Sequence, residues 1–338
     1  TPERWETFKL PEPKITFTIE ASGVEIHDWT LRSGAMQLFP LSPEQTPNVL
    51  ATIDNFFLIK SVVVTGTRTC SSSFSSTYPS HGRFTYQLGN TKFAAWIKPD
   101  GGALRIGQTS DDGDSLPKLF WNGWNTDMFY FMAERMAIGE APVGHALRLT
   151  PNASNLPVVL HTLKNERDNV FQTLVKHVRE IFPTVGNLGV RLRPDNGRFE
   201  IRIWPTKTME RVELSFPLDS SGTGVAQAIA ILTAIMTVEN AVIVIDEINS
   251  FLHPAAVKAL LRILQTNYAH HQYIISTHAP EVIGFSNAKS IHLVKRSGYN
   301  SSIERLNLAK LSELREVAEH LGVSMADVFA ADRVIWVE

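Results

Sequence analysis

Ala241-Val242-Ile243-Val244-Ile245 runs straight into Asp246 and Glu247. An unbroken apolar run, β-branched from Val242 to Ile245, is unsuited to a strand with one wet face. It reads as a strand buried on both sides, the kind found in parallel sheets covered by helices. The neighbouring segments continue the pattern. A glycine-bearing turn opens a helix over Val225–Val238, and further helices are expected from Pro254 to about Gln265 and, strongly charged, from Leu308 to His320. Strands are expected at Gln272–Ile275, Ser290–Val294 and Val334–Val337. Alternation of this kind predicts an α/β fold around a doubly covered parallel sheet.

The earlier half reads differently. Lys14–Glu20 alternates apolar and polar residues as a half-buried strand does. Arg83–Leu88 and Thr91–Ile97 flank Gly89-Asn90, a hairpin signal, and Pro99-Asp100-Gly101-Gly102 turns into a short strand at Ala103–Ile106. Cys70–Thr77 is serine-rich and is expected to be an exposed loop. This half therefore reads as β-rich and irregular. Trp121, Trp124, Phe129, Tyr130 and Phe131 form an aromatic group assigned to the core or an interface. Then Val170, Phe171, Leu174, Val175, Val178, Ile181 and Phe182 recur at helical spacing until Pro183. Strands are expected at Leu188–Leu192 and Phe199–Ile203 around the turn Asp195-Asn196-Gly197, and at Val212–Phe216.

Composition sets outer bounds. At about 150 residues per domain, 338 residues make one large or two medium domains. Lys plus Arg number 32 and Asp plus Glu 34, a net charge of −2, which excludes a uniformly basic coat but not a local basic groove. Arg191, Arg193, Arg198 and Arg202 fall on strands and read as a solvated face. The single cysteine excludes a disulfide framework and a Cys-rich zinc module. No secretory leader opens the chain at Thr1, so a cytoplasmic setting is expected. The most apolar stretch, Ala228–Val238, is 11 residues long. A membrane span needs roughly 20, so no membrane partner is expected.

Three elements carry chemistry. Asp246 and Glu247 leave a buried strand at its carboxyl end, where open α/β sheets bind ligands. In nucleotide hydrolysis the first acid suits the Mg²⁺ shell and the second suits the attacking water; equally, any buried strand can end in exposed acids. Asp219-Ser220-Ser221-Gly222-Thr223-Gly224 precedes a helix, so small residues, hydroxyls and the first helical N–H groups could meet an anion. The same residues would also serve as an ordinary cap. Ser276-Thr277-His278 ends a third run, with the imidazole able to donate to a phosphate or simply to cap.

Their order resembles the C-terminal half of an ABC-type ATPase head of the OLD/RecF/SMC group, from about Tyr130 to Ile283. In that resemblance Ser221-Gly222-Thr223-Gly224 looks like the signature motif, Asp246-Glu247 like Walker B and His278 like the switch histidine. Asn249–Pro254 is similar to the loop after Walker B in OLD-like ATPases, where it lies at the dimer interface. Pro151–Pro157 and Ile181-Phe182-Pro183 also resemble that group. The resemblance implies ATP and Mg²⁺ as cofactors, with Asp246 in the metal shell, Glu247 as general base and His278 at the γ-phosphate. Ser221, Gly222, Thr223 and Gly224 would reach the nucleotide of a facing subunit, making a homodimer of ATP-sandwiched heads, with DNA as a further partner.

The sequence departs from that pattern. Ile248 stands where the wider family usually has proline, and the signature is looser than in transporters, which favours the RecF/OLD side. No Gly-x-x-x-x-Gly-Lys-Ser/Thr occurs in the chain. It is expected to be either a fragment lacking the P-loop or a degenerate head, and Thr1-Pro2 favours the fragment. Asp332–Glu338 looks like the first strand of a TOPRIM domain, with Glu338 matching its metal-associated glutamate, although a plain edge strand would read alike. The expected organisation is residues 1–128 as the β-rich part of the head, 129–330 as its helical and α/β part, and 331–338 as the TOPRIM start. The implied function is an ATP-gated regulator of a DNA nuclease, OLD-like or Gabija-like, in antiphage defence. The rival readings are a RecF/SMC-like repair ATPase without a nuclease and a non-hydrolysing scaffold head.

Overall fold

The computed structural model describes residues 14–40, 48–60, 62–69, 74–77, 94–100, 103–109, 116–132, 138–209, 211–250, 252–298 and 300–306. The chain divides into two compact units, Thr1–Thr126 and Asp127–Glu338.

The first unit contains β1 (Lys14–Ala21), α1 (Gly23–Ser33), β2 (Gln37–Pro40), α2 (Val49–Phe57), β3 (Val62–Thr69), β4 (Phe74–Thr77), β5 (Ala94–Asp100), β6 (Ala103–Thr109) and α3 (Leu116–Asp127), the last ending at the unit boundary. Two antiparallel sheets form, in the orders β1-β3-β4 and β2-β5-β6. Ile26, Trp29, Phe39, Phe56, Ile97 and Phe120 make its core. This half is β-rich as read, but it also holds three helices that the sequence reading did not place. Helix α1 starts with a capping box, Ser22 accepting from the Glu25 N–H while Glu25 accepts from the Ser22 N–H. Its apolar positions are too sparse to reveal it by periodicity. Phe74–Thr77, read as loop, pairs with Thr65–Arg68 as a strand. The Gly89-Asn90 hairpin and Cys70 lie outside the described residues.

The second unit contains β7 (Met128–Phe131), β8 (Glu140–Pro142), α4 (Leu156–Glu166), α5 (Asp168–Ile181), β9 (Asn187–Leu192), β10 (Arg198–Trp204), β11 (Phe216–Pro217), α6 (Thr223–Thr237), β12 (Val242–Ile245), α7 (Pro254–Asn267), β13 (Gln272–Ile275), α8 (Pro280–Ser286), β14 (Ile291–Ser297) and β15 (Asn300–Leu306). It is a mixed α/β structure. A parallel sheet runs β13-β12-β7, an antiparallel sheet joins β8, β9 and β11 around β10, and β14-β15 is a hairpin. The core lies between helices and the parallel sheet. Helix α6 is buried from Gly224 to Ile235, and α5 and α7 add Phe171, Leu174, Val178, Leu260 and Leu264 against Phe129, Phe131, Ile243 and Ile245. No helix among the described residues is long and apolar enough to cross a membrane.

Several expectations change here. The sheet is not doubly covered among the described residues. Ile243 and Ile245 are buried, but Val242 and Val244 on the other face are half-buried, beside Tyr130 at 44% and Ile274 at 52% exposure. Val212–Leu214 is a 3-10 turn rather than a strand, leaving only Phe216-Pro217 paired to β10. The strand expected at Ser290–Val294 forms but pairs antiparallel with β15, outside the parallel sheet. Of the aromatic group, Phe129 and Phe131 are core, while the Trp124 side chain lies outside the description. The helix at Leu308–His320, the strand at Val334–Val337 and Glu338 lie outside the described residues.

Candidate functional site

Strands β12 and β13 run parallel in register, Val242 opposite Gln272 and Ile245 opposite Ile275. Their carboxyl ends therefore stop side by side, and the next residues of each, Asp246-Glu247 and Ser276-Thr277-His278, emerge at one edge. Backbone bonds continue the pairing past the strands. The Ser276 N–H donates to the Ile245 carbonyl at 3.0 Å, and the Asp246 N–H donates to the Phe131 carbonyl of β7 at 2.8 Å.

Side chains then join the two ends. Ser276 Oγ donates to Asp246 Oδ1 at 2.5 Å and accepts from the Glu247 N–H at 2.8 Å. Glu247 adopts the left-handed conformation at φ 49°, which carries its side chain out of the strand direction. Its Oε2 accepts from Ser250 Oγ at 2.6 Å, while Oε1 lies 3.9 Å from His278 Nδ1. Asn249 Nδ2 meets His278 Nε2 at 3.2 Å, and Asn249 Oδ1 accepts from Thr277 Oγ1 at 2.7 Å. The His278 side chain is 68% exposed, so the ring stands at the surface with one flank toward Glu247 and the other on Asn249. Two carboxylates, three hydroxyls and an imidazole share one sheet edge. Ser276, Thr277, Asn249 and Ser250 lie within the Ser-Thr-His run and the loop after Glu247, but the sequence assigns none of them a role of its own.

Among the described residues, no group of three His, Cys, Asp or Glu side chains could cage a metal. Mg²⁺ keeps several waters and takes one or two carboxylates plus substrate phosphates. Half-buried Asp246, at the strand exit, fits that requirement. A closed protein site does not fit.

The Ser221–Gly224 segment stands apart. No hydrogen bond among the described residues joins it to Asp246, Glu247 or His278. Gly222 is the N-cap of α6 with φ 91° and ψ 147°, a torsion that disfavours any side chain, and no side chain caps the helix there. Ser221 Oγ donates to the Leu218 carbonyl at 2.6 Å instead. The uncapped N-terminus of a 15-residue helix is thus left to solvent on exposed Gly222 and half-buried Thr223. Gln227, one turn on, donates to the Met132 carbonyl at the end of β7 at 3.4 Å.

Three of the strand arginines are partly exposed, as a solvated face would be, but all four are ion-paired. Arg191 pairs with Glu200 at 2.8 Å, Arg193 with Glu140 and Asp195, and Arg198 with Glu140 at 3.8 Å. Arg202, 11% exposed, lies between Glu200 and Ser215. Three acids, Glu140, Asp195 and Glu200, thus face the four guanidinium groups and pair most of this charge. The Arg193 pairing holds the Asp195 carboxyl below its ordinary value.

At the opposite end of the same strands, His271 is buried. Its Nδ1 accepts from the Ala241 N–H at 3.0 Å and its Nε2 donates to the Ile235 carbonyl at 2.9 Å. Burial pushes its proton affinity down, against the hydrogen bond to Ile235. His177, beside Tyr268 Oη at 3.3 Å, is likewise lowered by burial, which outweighs the pull of Glu180.

Residues 160–284 match a family profile of an AAA domain, described in terms of the AbiEii toxin of a Type IV TA system. The matched span runs from α4 into α8 and contains the α6 turn and both strand ends. Among curated proteins none matches. Several SMC heads are similar solved structures. An SMC ATPase from work on ATP-driven dimerization and DNA-stimulated activation has 20% identity over 46% of this chain and 97% of its own, with a TM-score of 0.32. An Smc head bound to the C-winged helix domain of ScpA has 14% identity over 73% and 74%, with a TM-score of 0.38. The SMC head domain from Thermotoga maritima has 14% identity over 73% and 74%, with a TM-score of 0.31.

Proposed function

We propose that this chain is the hydrolytic part of an ATP-binding, ABC-type head that dimerises around nucleotide and gates a DNA nuclease. One observation carries the reading. Ser276 ties the ends of β12 and β13 together, so that Asp246, Glu247 and His278 share one sheet edge inside the span that matches an AAA domain. In this reading Asp246 holds Mg²⁺ through water and Glu247 takes the proton of the attacking water, its free flank turned from Ser250. His278 donates to the terminal phosphate. Mg²⁺, when bound, supplies charge neutralisation on the phosphate oxygens. Ser221, Gly222, Thr223 and Gly224 offer the uncapped α6 terminus to the nucleotide of a second head. The cradle for the β- and γ-phosphates would come from polypeptide outside these 338 residues, since no Gly-x-x-x-x-Gly-Lys-Ser/Thr motif is present. The half-exposed face of the parallel sheet leaves room for a covering element.

The nuclease link, with its OLD-like or Gabija-like antiphage setting, rests on the sequence resemblance and on Glu338. The test is steady-state ATP turnover by the full-length protein, with Glu247→Gln in parallel. The variant is expected to retain ATP, form a tight dimer and lose turnover. Turnover within a few-fold of wild type removes Glu247 as base. DNA cleavage by the active protein tests the gated partner, and its absence alongside ATP turnover favours a repair-type head. The missing P-loop lysine favours the scaffold reading, which predicts no turnover with or without DNA.

A further inference from the structure

We propose that Asn249 is a positioning residue that decides which ring nitrogen of His278 carries the proton, and so which nitrogen faces Glu247. The argument starts from a donor whose role is fixed. The Ala279 N–H donates to Thr277 Oγ1 at 3.0 Å. The Thr277 hydroxyl, with one lone pair engaged by that N–H, donates its own proton to Asn249 Oδ1, 2.7 Å away. That fixes the amide: Nδ2, which can only donate, is the atom turned to His278 Nε2 at 3.2 Å. Nε2 must then accept, and the neutral ring keeps its proton on Nδ1. Nδ1 is the nitrogen 3.9 Å from Glu247 Oε1, whose other oxygen is already bonded to Ser250. A line of hydrogen bonds thus runs from the Ala279 backbone through Thr277 and Asn249 to His278, whose Nδ1 flank faces the carboxylate at 3.9 Å.

The consequence concerns the proposed hydrolysis and rests on that reading. With Nε2 occupied, the only donor His278 can offer to reacting atoms is Nδ1–H, on the flank shared with Glu247. Asn249 thereby places the imidazole donor and the carboxylate acceptor on the same side of the site. A ring with the opposite tautomer would point a lone pair at the carboxylate and lose the bond from Asn249 and the donor on that flank.

The experiment uses the full-length protein with ¹⁵N-labelled histidine at about pH 8. Two-bond ¹H–¹⁵N correlation reads the tautomer, and the His278 signals are those lost in His278→Gln. Wild type is expected to show the Nδ1–H form. Asn249→Asp, which replaces the donor by an acceptor, is expected to switch the ring to Nε2–H, and Thr277→Val, which frees the amide to rotate, to give a mixture. A wild-type ring in the Nε2–H form, or an unchanged pattern in Asn249→Asp with the backbone spectrum intact, overturns the inference. ATP turnover is measured alongside. Asn249→Asp is expected to lower kcat on the order of tenfold to a hundredfold, with KM for ATP within about twofold. A switched tautomer with unchanged kcat upholds Asn249 as the residue that sets the ring and instead refutes the hydrolytic roles given to Glu247 and His278.

Discussion

Removing one hydroxyl, in Ser276→Ala, tests the construction of the site most directly. Ser276 Oγ makes two bonds across the strand ends, one to a carboxylate and one from the backbone N–H of Glu247. A hydrogen bond to a charged group is worth about 1.5–3 kcal/mol when buried. Ser276 is exposed and Asp246 half-buried, so solvent competition sets the first bond below that range, at about 1 kcal/mol, and the solvent-accessible N–H adds about 0.5 kcal/mol. The expected loss of about 1.5 kcal/mol lowers the melting temperature by about 3–6 °C for a unit of this size. Turnover is expected to suffer more than stability. Glu247 holds a left-handed backbone that costs roughly 1–2 kcal/mol, and without the Ser276 anchor it can relax. A displacement of about 1 Å of a reacting group costs on the order of a hundredfold in rate. Thermal and urea unfolding, with ATP turnover by the full-length protein, measure both effects, and Ser276→Thr should restore both. A Ser276→Ala protein that melts within about 1 °C of wild type and turns over within about twofold would refute the idea that this hydroxyl assembles the site.

Other expectations follow from the packing. His271 and His177 have proton affinities lowered by burial, so their neutral forms stabilise the fold above the unfolded value of about 6.5, and that contribution is lost as pH falls toward the lower folded values. Unfolding free energy should decline on acidification with a slope of up to about 1.4 kcal/mol per pH unit for each histidine; urea titrations from pH 7.5 downward should show a shallower slope in His271→Ala. Glu200 is buried among Arg191 and Arg202, and Glu200→Ala, by stranding Arg202, should cost about 3 kcal/mol in urea unfolding. A loss below about 1 kcal/mol would mean that solvent already screens the cluster. At Gly186 a Cβ would lie 2.2 Å from the Thr206 carbonyl carbon and 2.6 Å from the Pro205 oxygen. Both are backbone, so Gly186→Ala should destabilise by about 2–3 kcal/mol with turnover per folded molecule unchanged.

Legibility in the sequence followed the physics of each element. Strand β12, helix α6 and helix α5 were readable because long apolar runs or a strict helical period leave few alternatives. The strand ends followed from them, and with them Asp246, Glu247 and His278, each just past the end of an apolar run. Helix α1 was not readable by period, since Ile26 and Trp29 alone carry its buried apolar side; its capping box was the usable signal. Strand β7, which completes the parallel sheet, is four residues long and hid within an aromatic group. The pairing of β14 with β15 and the neutralised arginines depend on partners distant in sequence. Polar groups of the site other than the motif residues, Asn249 and Ser276 among them, have meaning only through the contacts that the register of β12 and β13 creates.

That register is itself pinned by side chains flanking β13. Each strand is only four residues long, so its own ladder is a weak specification of pairing. Before β13, His271 accepts from the Ala241 N–H at the entrance to β12; after β13, Ser276 accepts from the Glu247 N–H at the exit. A one-residue slip would break both bonds and turn Ile243 and Ile245 out of the core. The two clamps are five positions apart, about 16 Å along an extended strand, and share no partner. Their losses should therefore add to within about 0.5 kcal/mol in a His271→Ala, Ser276→Ala double-mutant cycle. Only the Ser276 change should reach the carboxylates, so turnover at pH 8 should fall in that single variant and not in His271→Ala. A coupling energy above about 1 kcal/mol, or equal losses of turnover in the two single variants, would mean that the strand pair shifts as a unit and that the site is set by the whole register rather than by the hydroxyl at its edge.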